Sequence, residues 1–273
     1  MSVINNSITN SSDYKDDNSW LMLGDCLERM KEIPDGSVDM VLTDPPYGTT
    51  ACKWDSIIPL EQMWEQLKRV IKPNGAVVLF GTEPFSSCLV YSNMRNLRES
   101  LVWLKHKAGN FGAAKHMHLK YHEDIKVFSR GKPTYNPQMQ ARKSNRVKQM
   151  QAGKSKKWNT QRVDGNEVTF STNYEPKEWK DYDADLKYPL SVIEMPAVVS
   201  NSSEKVDHPT QKPVALMEYL IKTYTNEGET VLDFTFGSNT TGVACKNLAR
   251  KYIGIEMDET YFNLGKERML NDN

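Results

Sequence analysis

Between Thr230 and Leu270 the chain runs strand, glycine-bearing loop, helix, strand, helix, and no other stretch restricts the fold as much. Thr230 to Asp233 and Lys251 to Glu256 are short apolar runs of strand length, while Thr241 to Leu248 and Glu259 to Leu270 carry apolar residues at helical spacing. Such an order predicts a βαβ unit with helices beside a parallel sheet. The first half repeats the theme. Trp20 to Leu23 reads as a strand, Cys26 to Ile33 as a helix ended by Pro34, and Val38 to Thr43 as a buried strand stopping at Asp44-Pro45-Pro46. Leu60 to Ile71 reads as a helix closed by Pro73-Asn74-Gly75, and Ala76 to Phe80 as the strand after it. A helix over Phe85 to Met94, strands at Leu101 to Leu104 and Ile125 to Phe128, and a helix over Val214 to Thr223 complete an α/β pattern with a doubly wound, mostly parallel sheet.

From Gly131 to Asp207 the periodicity gives way to polar, Pro/Gly/Asn-bearing sequence, which predicts an insertion outside the core. The expected division is a mobile tail over 1–18, a first folded part over 19–130, the insertion over 131–207 and a second folded part over 208–273. A length of 273 residues suits two units or one large α/β domain. No run approaches the roughly 18 apolar residues of a membrane span, and the N-terminus is Asn/Ser/Asp-rich where a signal peptide is apolar. Cys26, Cys52, Cys88 and Cys245 are scattered without a C-x-x-C pair, which excludes the usual zinc and redox patterns and suits a reduced cytoplasm.

Overall charge misleads. The chain balances 35 Lys/Arg against 35 Asp/Glu, yet Lys105 to Arg162 holds 15 Lys/Arg against two acids, Glu123 and Asp124. That window is +13 and the remainder is −13. Arg142 to Arg162 has no acid at all, and Trp158 sits beside Lys154, Lys156 and Lys157. Clustered cations displace counterions from a nucleic-acid backbone, so this is either a phosphate-contacting surface or a solvated basic loop.

Three constellations carry chemistry. Asp44-Pro45-Pro46-Tyr47-Gly48 follows the strand VDMVLT, and the string Asp-Pro-Pro-Tyr arises by chance in a chain this long only about one time in a thousand. Two prolines stiffen the backbone, so a carboxylate, a main-chain carbonyl and an aromatic face are held at the carboxyl end of a strand, where open α/β sheets bind ligands. Val231 to Gly242 supplies a strand, a Gly/Ser loop and a helix start, with Glu256 closing the next strand at a place where an acid accepts from ribose hydroxyls. His208-Pro209-Thr210-Gln211-Lys212-Pro213 leads into the preceding helix, and no second histidine lies near His208 to make a metal pair.

In this order, and together with Gly24-Asp25-Cys26, the motifs resemble the beta-class DNA amino-methyltransferases that use S-adenosyl-methionine, over about residues 20 to 270. The resemblance implies a Rossmann-like methyltransferase fold with permuted motif order and an inserted basic target-recognition region. It implies a catalytic group of Asp44, Pro45, Pro46 and Tyr47. Asp25 and Cys26 are then expected near the cofactor adenine, Glu256 on its ribose, Asp233, Phe236, Gly237 and Ser238 along its methionine portion, and Thr210 and Lys212 at its carboxylate. Phe234-Thr235 stands where the family usually has Pro-Phe, and Asn239 where it has its last Gly; Asn tolerates positive φ. Phe236 is the aromatic expected at the cofactor. The implied partner is double-stranded DNA, with a homodimer and a cognate restriction endonuclease both compatible with the family, and the implied reaction is N6-adenine methylation. N4-cytosine methylation, an RNA substrate and a catalytically silent DNA-binding protein are the alternatives. Replacing Lys154, Lys156 and Lys157 together should weaken DNA binding and flatten the slope of log affinity against log salt by up to about 0.9 for each lost phosphate contact, measured by fluorescence anisotropy over a salt series.

Overall fold

The computed structural model describes residues 13–49, 55–142, 162–163, 166–167 and 185–271. Met1–Asn136 with Leu190–Asn273 forms one unit and Pro137–Pro189 the other. In chain order the elements are β1 (Tyr14–Lys15), β2 (Ser19–Leu23), α1 (Cys26–Arg29), β3 (Val38–Thr43), α2 (Leu60–Val70), β4 (Ile71–Gly81), α3 (Phe85–Ser92), β5 (Leu97–Leu104) and β6 (His122–Phe128). The second unit carries β7 (Gln140–Ala141), β8 (Arg162–Val163), β9 (Asn166–Glu167) and β10 (Leu186–Lys187), with β7 antiparallel to β10 and β8 to β9. The first unit then resumes with β11 (Val192–Glu194), α4 (Val214–Tyr224), β12 (Thr230–Asp233), α5 (Thr240–Asn247), β13 (Lys251–Glu256) and α6 (Glu259–Asn271).

Nine strands form one sheet in the order β1-β2-β13-β12-β3-β4-β6-β5-β11. From β2 to β4 in that order every pairing is parallel, whereas β6 runs antiparallel to both β4 and β5. Successive side chains of a strand point to opposite faces, and a parallel sheet must cover both. Accordingly Met40, Leu42, Val78, Phe80 and Val231 pack with Leu216, Leu220 and Ile221 of α4 and Ala244 of α5 on one face. Val41, Val77, Leu79, Leu232 and Ile255 pack with Met30, Met63, Leu67 and Leu89 on the other. The chain leaves β12 through α5 to β13 on one side, and leaves β3 through α2 to β4 on the other. The carboxyl ends of β12 and β3 therefore flank a topological switch point, where an open α/β sheet leaves a crevice.

Four sequence expectations change. Pro73-Asn74-Gly75 does not separate helix from strand: β4 already begins at Ile71, and its pairing with β3 jumps from Val38↔Ile71 to Met40↔Ala76. The turn residues bulge out of a strand whose two ends stay paired, and Lys72 reaches Asp39 at 2.6 Å across the bulge. The helix expected over Cys26 to Ile33 is one α-turn followed by a 3-10 turn at Met30–Glu32. Pro34 has no N–H for the Met30 carbonyl, and the Arg69 guanidinium donates to the Met30 and Ile33 carbonyls instead, at 2.6 and 2.7 Å. Of the expected mobile tail, residues 13–18 are built into the fold. Tyr14–Lys15 pairs with β2, and the Asp13 carboxylate, 1% exposed, takes Arg29 at 2.5 Å; residues 1–12 lie outside the described residues. Finally, the expected insertion contains β11, which pairs parallel with β5 and buries Ile193 to 5% exposure. Strands of two or three residues are too short to show a period.

The run 143–161, with Lys154, Lys156, Lys157 and Trp158, lies outside the described residues. Among the described residues no helix is long and apolar enough to cross a membrane. If β11 is core, Ile193→Ala should cost about 2–4 kcal/mol of stability, read as a lowered urea midpoint at unchanged m-value, against under about 0.5 kcal/mol for a change on a surface loop.

Candidate active site

The site is built outward from a buried carboxylate at the switch point. Asp233, at the end of β12, accepts from Thr43 Oγ1 of β3 at 2.7 Å, from Thr241 Oγ1 of α5 at 2.6 Å and from the Thr235 amide at 3.2 Å. Burial pushes its pKa up to about 6, against the opposing pull of the Thr241 and Thr43 hydroxyls. Thr235 Oγ1 in turn donates to the Asp44 carbonyl at 3.3 Å, so the two strand ends are tied side chain to backbone.

Asp44 opens the Pro45-Pro46 segment. Its carboxylate accepts from the Tyr47 hydroxyl on one oxygen and from Lys212 Nζ on the other. The Tyr47 ring lies on Phe85, centroids 5.3 Å apart at 29°. Beyond the prolines, Asp55 collects the Gly48 and Thr49 amides at 2.8 and 2.9 Å and closes the turn. Lys212 is 6% exposed and has a second anion, Glu123 of β6, at 3.3 Å; Glu123 also takes Lys105 at 3.0 Å. Burial raises the Asp44 pKa and outweighs the Lys212 ammonium, while the nearby Glu123 charge adds to the rise. For Glu123, burial pushes up but Lys212 and Lys105 prevail, and its pKa falls. Lys212 is opposed by burial, yet its two anions hold its pKa above the ordinary lysine value.

On the other side of the crevice Gly237 has φ +49, and a Cβ there would stand 2.7 Å from His208 Nε2. The backbone favours glycine there, and the imidazole beside it leaves no room for a Cβ. Asn239 holds the expected positive φ, +55, with its amide donating to the Gly265 carbonyl at 3.0 Å. Glu256 accepts from the amides of Gly237, Met257 and Asp258 at 2.8, 2.9 and 2.9 Å. A carboxylate offers about four acceptor positions, so one remains to face the crevice. Asp25 caps α1, accepting from the Leu27 and Glu28 amides, and burial pushes the neighbouring Cys26 thiol up to about 12. Phe236 is buried, its ring 5.9 Å from that of Phe262, and Ser238 Oγ lies 3.2 Å from Thr240 Oγ1. The Thr210 amide donates to His208 Nδ1 at 3.4 Å.

Most of these groups line one cleft of about 540 Å³, with Glu123, His208, Thr241 and Tyr261 among its lining. It brings together Asp44, Pro45, Pro46 and Tyr47 with Asp25, Cys26, Thr210, Lys212, Asp233, Phe236, Gly237, Ser238 and Glu256. Two placements differ in kind from the expectation: the Lys212 ammonium is engaged by Asp44 and Glu123, and both Asp233 oxygens are engaged by the chain's own donors. Sequence reasoning assigned no site role to Glu123, Thr43, Thr241 or Tyr261, and left His208 with neither a partner nor a task. A signal existed for Glu123, which with Asp124 interrupts an otherwise acid-free basic window. The threonines have no such signal, because their role depends on two strands and a helix meeting.

An acidic wall beside a tyrosine, in one cleft with a close-approach glycine loop and a carboxylate, suits two ligands side by side: a planar amino-bearing group and a nucleoside-like one. The chain is 29% identical over 264 residues to the DNA adenine methyltransferase YhdJ of Escherichia coli (strain K12), covering 90% of this chain and 81% of the relative. It is 26% identical over 270 residues to the type II methyltransferase M.HpaI of Haemophilus parainfluenzae, covering 91% and 73%. Among solved structures, the M1.HpyAVI–SAM complex matches with a TM-score of 0.57 at 25% identity over 92% of this chain and 99% of that one. The cytosine-N4-specific PvuII DNA methyltransferase shares the fold, with a TM-score of 0.65 at 18% identity over 95% and 89%. The DNA methylase family model, N6_N4_Mtase, matches residues 38–267, and the chain belongs to that family of DNA amino-methyltransferases.

Proposed function

We propose that the protein transfers a methyl group from S-adenosyl-methionine to the N6 amino group of an adenine turned out of double-stranded DNA. The observation that carries this reading is the Asp44 carboxylate, held at the switch point in the same cleft as Gly237 and Glu256. The residues fit the cofactor. The cleft's size suits a nucleoside-bearing ligand, the loop at Gly237 admits no side chain, and Glu256 keeps an acceptor position for a ribose hydroxyl. In this reading Asp25 and Cys26 hold the adenine and Phe236, Gly237, Ser238 and Thr210 flank the methionine portion; all six line the same cleft. When bound, the cofactor supplies an electrophilic methyl carbon on a sulfonium.

The protein's task is to make a poor nucleophile attack. The lone pair of an exocyclic amino group is delocalised into the ring, and accepting its two hydrogens favours the tetrahedral form. The Asp44 carboxylate and the Pro45 carbonyl are the proposed acceptors, and the two prolines keep them from turning away. Tyr47, backed by Phe85, offers its face to a base that has left the duplex stack. The nitrogen–carbon bond forms as the carbon–sulfur bond breaks, and the now cationic nitrogen then gives one proton to Asp44 or to water. No covalent adduct on the base is needed, and no cysteine is asked to form one. The basic window contributes phosphate contacts that hold the duplex.

Incubation with labelled cofactor and a mixed DNA pool, followed by nuclease digestion and mass spectrometry, should yield N6-methyladenine. N4-methylcytosine would overturn the choice of adenine, and no methylated nucleoside would overturn the enzyme. Asp44→Ala should lower turnover by about 10²–10³-fold or more while cofactor affinity, measured by calorimetric titration, stays close to that of the parent.

A further inference from the structure

We propose that Lys212 is a positioning residue for methyl transfer: anchored by Glu123, its ammonium holds the Asp44 carboxylate toward the cleft and does not serve as a ligand for the cofactor. The inference rests on the reading of Asp44 given above. Four features carry it. Lys212 is 6% exposed, and the ammonium donates to Asp44 Oδ2 on one side with Glu123 Oε2 at 3.3 Å on the other. Lys105 takes the other Glu123 oxygen at 3.0 Å, so the acid cannot swing away without losing two cations. The ammonium also lies 5.1 Å from the centre of the Phe80 ring, on the core side of the sheet. Its backbone is pinned as well, since Thr240 Oγ1 donates to the Lys212 carbonyl at 3.2 Å and the Gln211 side chain beside it clasps Glu204 and Val206. A lysine held this way already has its charge matched by two carboxylates, Asp44 and Glu123, before any carboxylate of a ligand arrives.

The arrangement solves a problem set by Asp44. An aspartate with two acceptor oxygens and free torsions can present either of them, or neither, to an amino group. Tyr47 holds Oδ1 and Lys212 holds Oδ2, so the carboxylate plane is fixed and the remaining acceptor positions keep set directions. Alternation of sign from Asp44 to Lys212 to Glu123 to Lys105 also keeps the cluster neutral without a water shell. The charged and titratable groups that bear on Asp44 directly are Tyr47 from its own segment, Lys212 from the segment before α4, Glu123 from β6 and Asp233 from β12, while Asp55 acts on Tyr47, Lys105 on Glu123, and His208 faces Lys212.

Removing the cation and removing its anchor should therefore move the acid limb of the methylation rate against pH in opposite directions. In Lys212→Met the Asp44 carboxyl loses its counter-ion, so the limb should rise by about one pH unit or more, with kcat at saturating cofactor and DNA down about tenfold or more. In Glu123→Gln a nearby negative charge is gone, and the limb should fall. Cofactor affinity should stay within about twofold of the parent in both, which corresponds to only a small fraction of a tenfold step. Glu123→Gln keeps shape and hydrogen-bonding capacity, so it carries the test even where Lys212→Met melts below the assay temperature. Normal kcat at saturating cofactor with a raised cofactor Kd in Lys212→Met would make Lys212 a cofactor ligand and overturn the proposal. An unmoved acid limb in Glu123→Gln would do the same. Asp44→Asn is measured alongside: full turnover in that variant would instead remove the reading of Asp44 on which both arms stand.

Discussion

The site depends on the parting of β12 and β3 at their carboxyl ends, and one buried carboxylate keeps that parting in shape. Asp233 joins Thr43 of one strand to Thr241 at the head of α5, at 2.7 and 2.6 Å. A crevice at a switch point is a gap in the packing, where side chains would otherwise collapse inward. Hydroxyl-to-carboxylate bonds resist that collapse because each is strong in a low dielectric and each partner would be costly to leave unpaired. Burial lifts the Asp233 pKa to about 6. Near neutral pH it is therefore largely an anion held by the donors around it, and Asp44 follows its partner Thr43 directly in the chain.

The second constraint is electrostatic. Asp44, Lys212, Glu123 and Lys105 are all half-buried or more, and desolvating four formal charges would be prohibitive for any of them alone. They are tolerable because opposite signs alternate and each ammonium has an oxygen partner within 3.3 Å. Such a cluster adds little to stability compared with apolar side chains of the same size, and its value lies in fixing direction. On the proposed reading, a carboxylate that receives hydrogens from an amino group has to be aimed before the base arrives; Lys212 does the aiming in advance and offsets part of the rise that burial gives the Asp44 pKa.

Much of this was legible in the sequence, for a physical reason. Val38–Thr43, Thr230–Asp233 and Lys251–Glu256 are strands of a parallel sheet covered on both faces, so they read as continuous apolar runs with sharp ends. The residues at those ends were recognisable because ligand binding at strand ends calls for unusual types: paired prolines, a close-approach glycine, an acid. What escaped depends on long-range meeting. Whether Lys212 reaches a cofactor or Asp44 is decided by a contact between residues 168 positions apart, and local composition is the same either way. β11 has three residues and β1 two, below the length at which alternation differs from chance, and both are strands because a neighbouring edge was there to pair with.

The same electrostatic logic accounts for a histidine where a cation would do harm. His208 stands above Gly237 with its ring 4.6 Å from that of Tyr261, and burial lowers its pKa to about 4, helped by Lys212, Lys205 and Arg268. The shift leaves the imidazole neutral at any pH where the enzyme would meet DNA. A protonated ring would add positive charge beside Lys212, which is matched to Asp44 and Glu123. It would also repel the sulfonium that the proposed cofactor brings to the cleft. A neutral aromatic ring covers the glycine loop, accepts the Thr210 amide at 3.4 Å, and leaves the nearby alternating charges undisturbed.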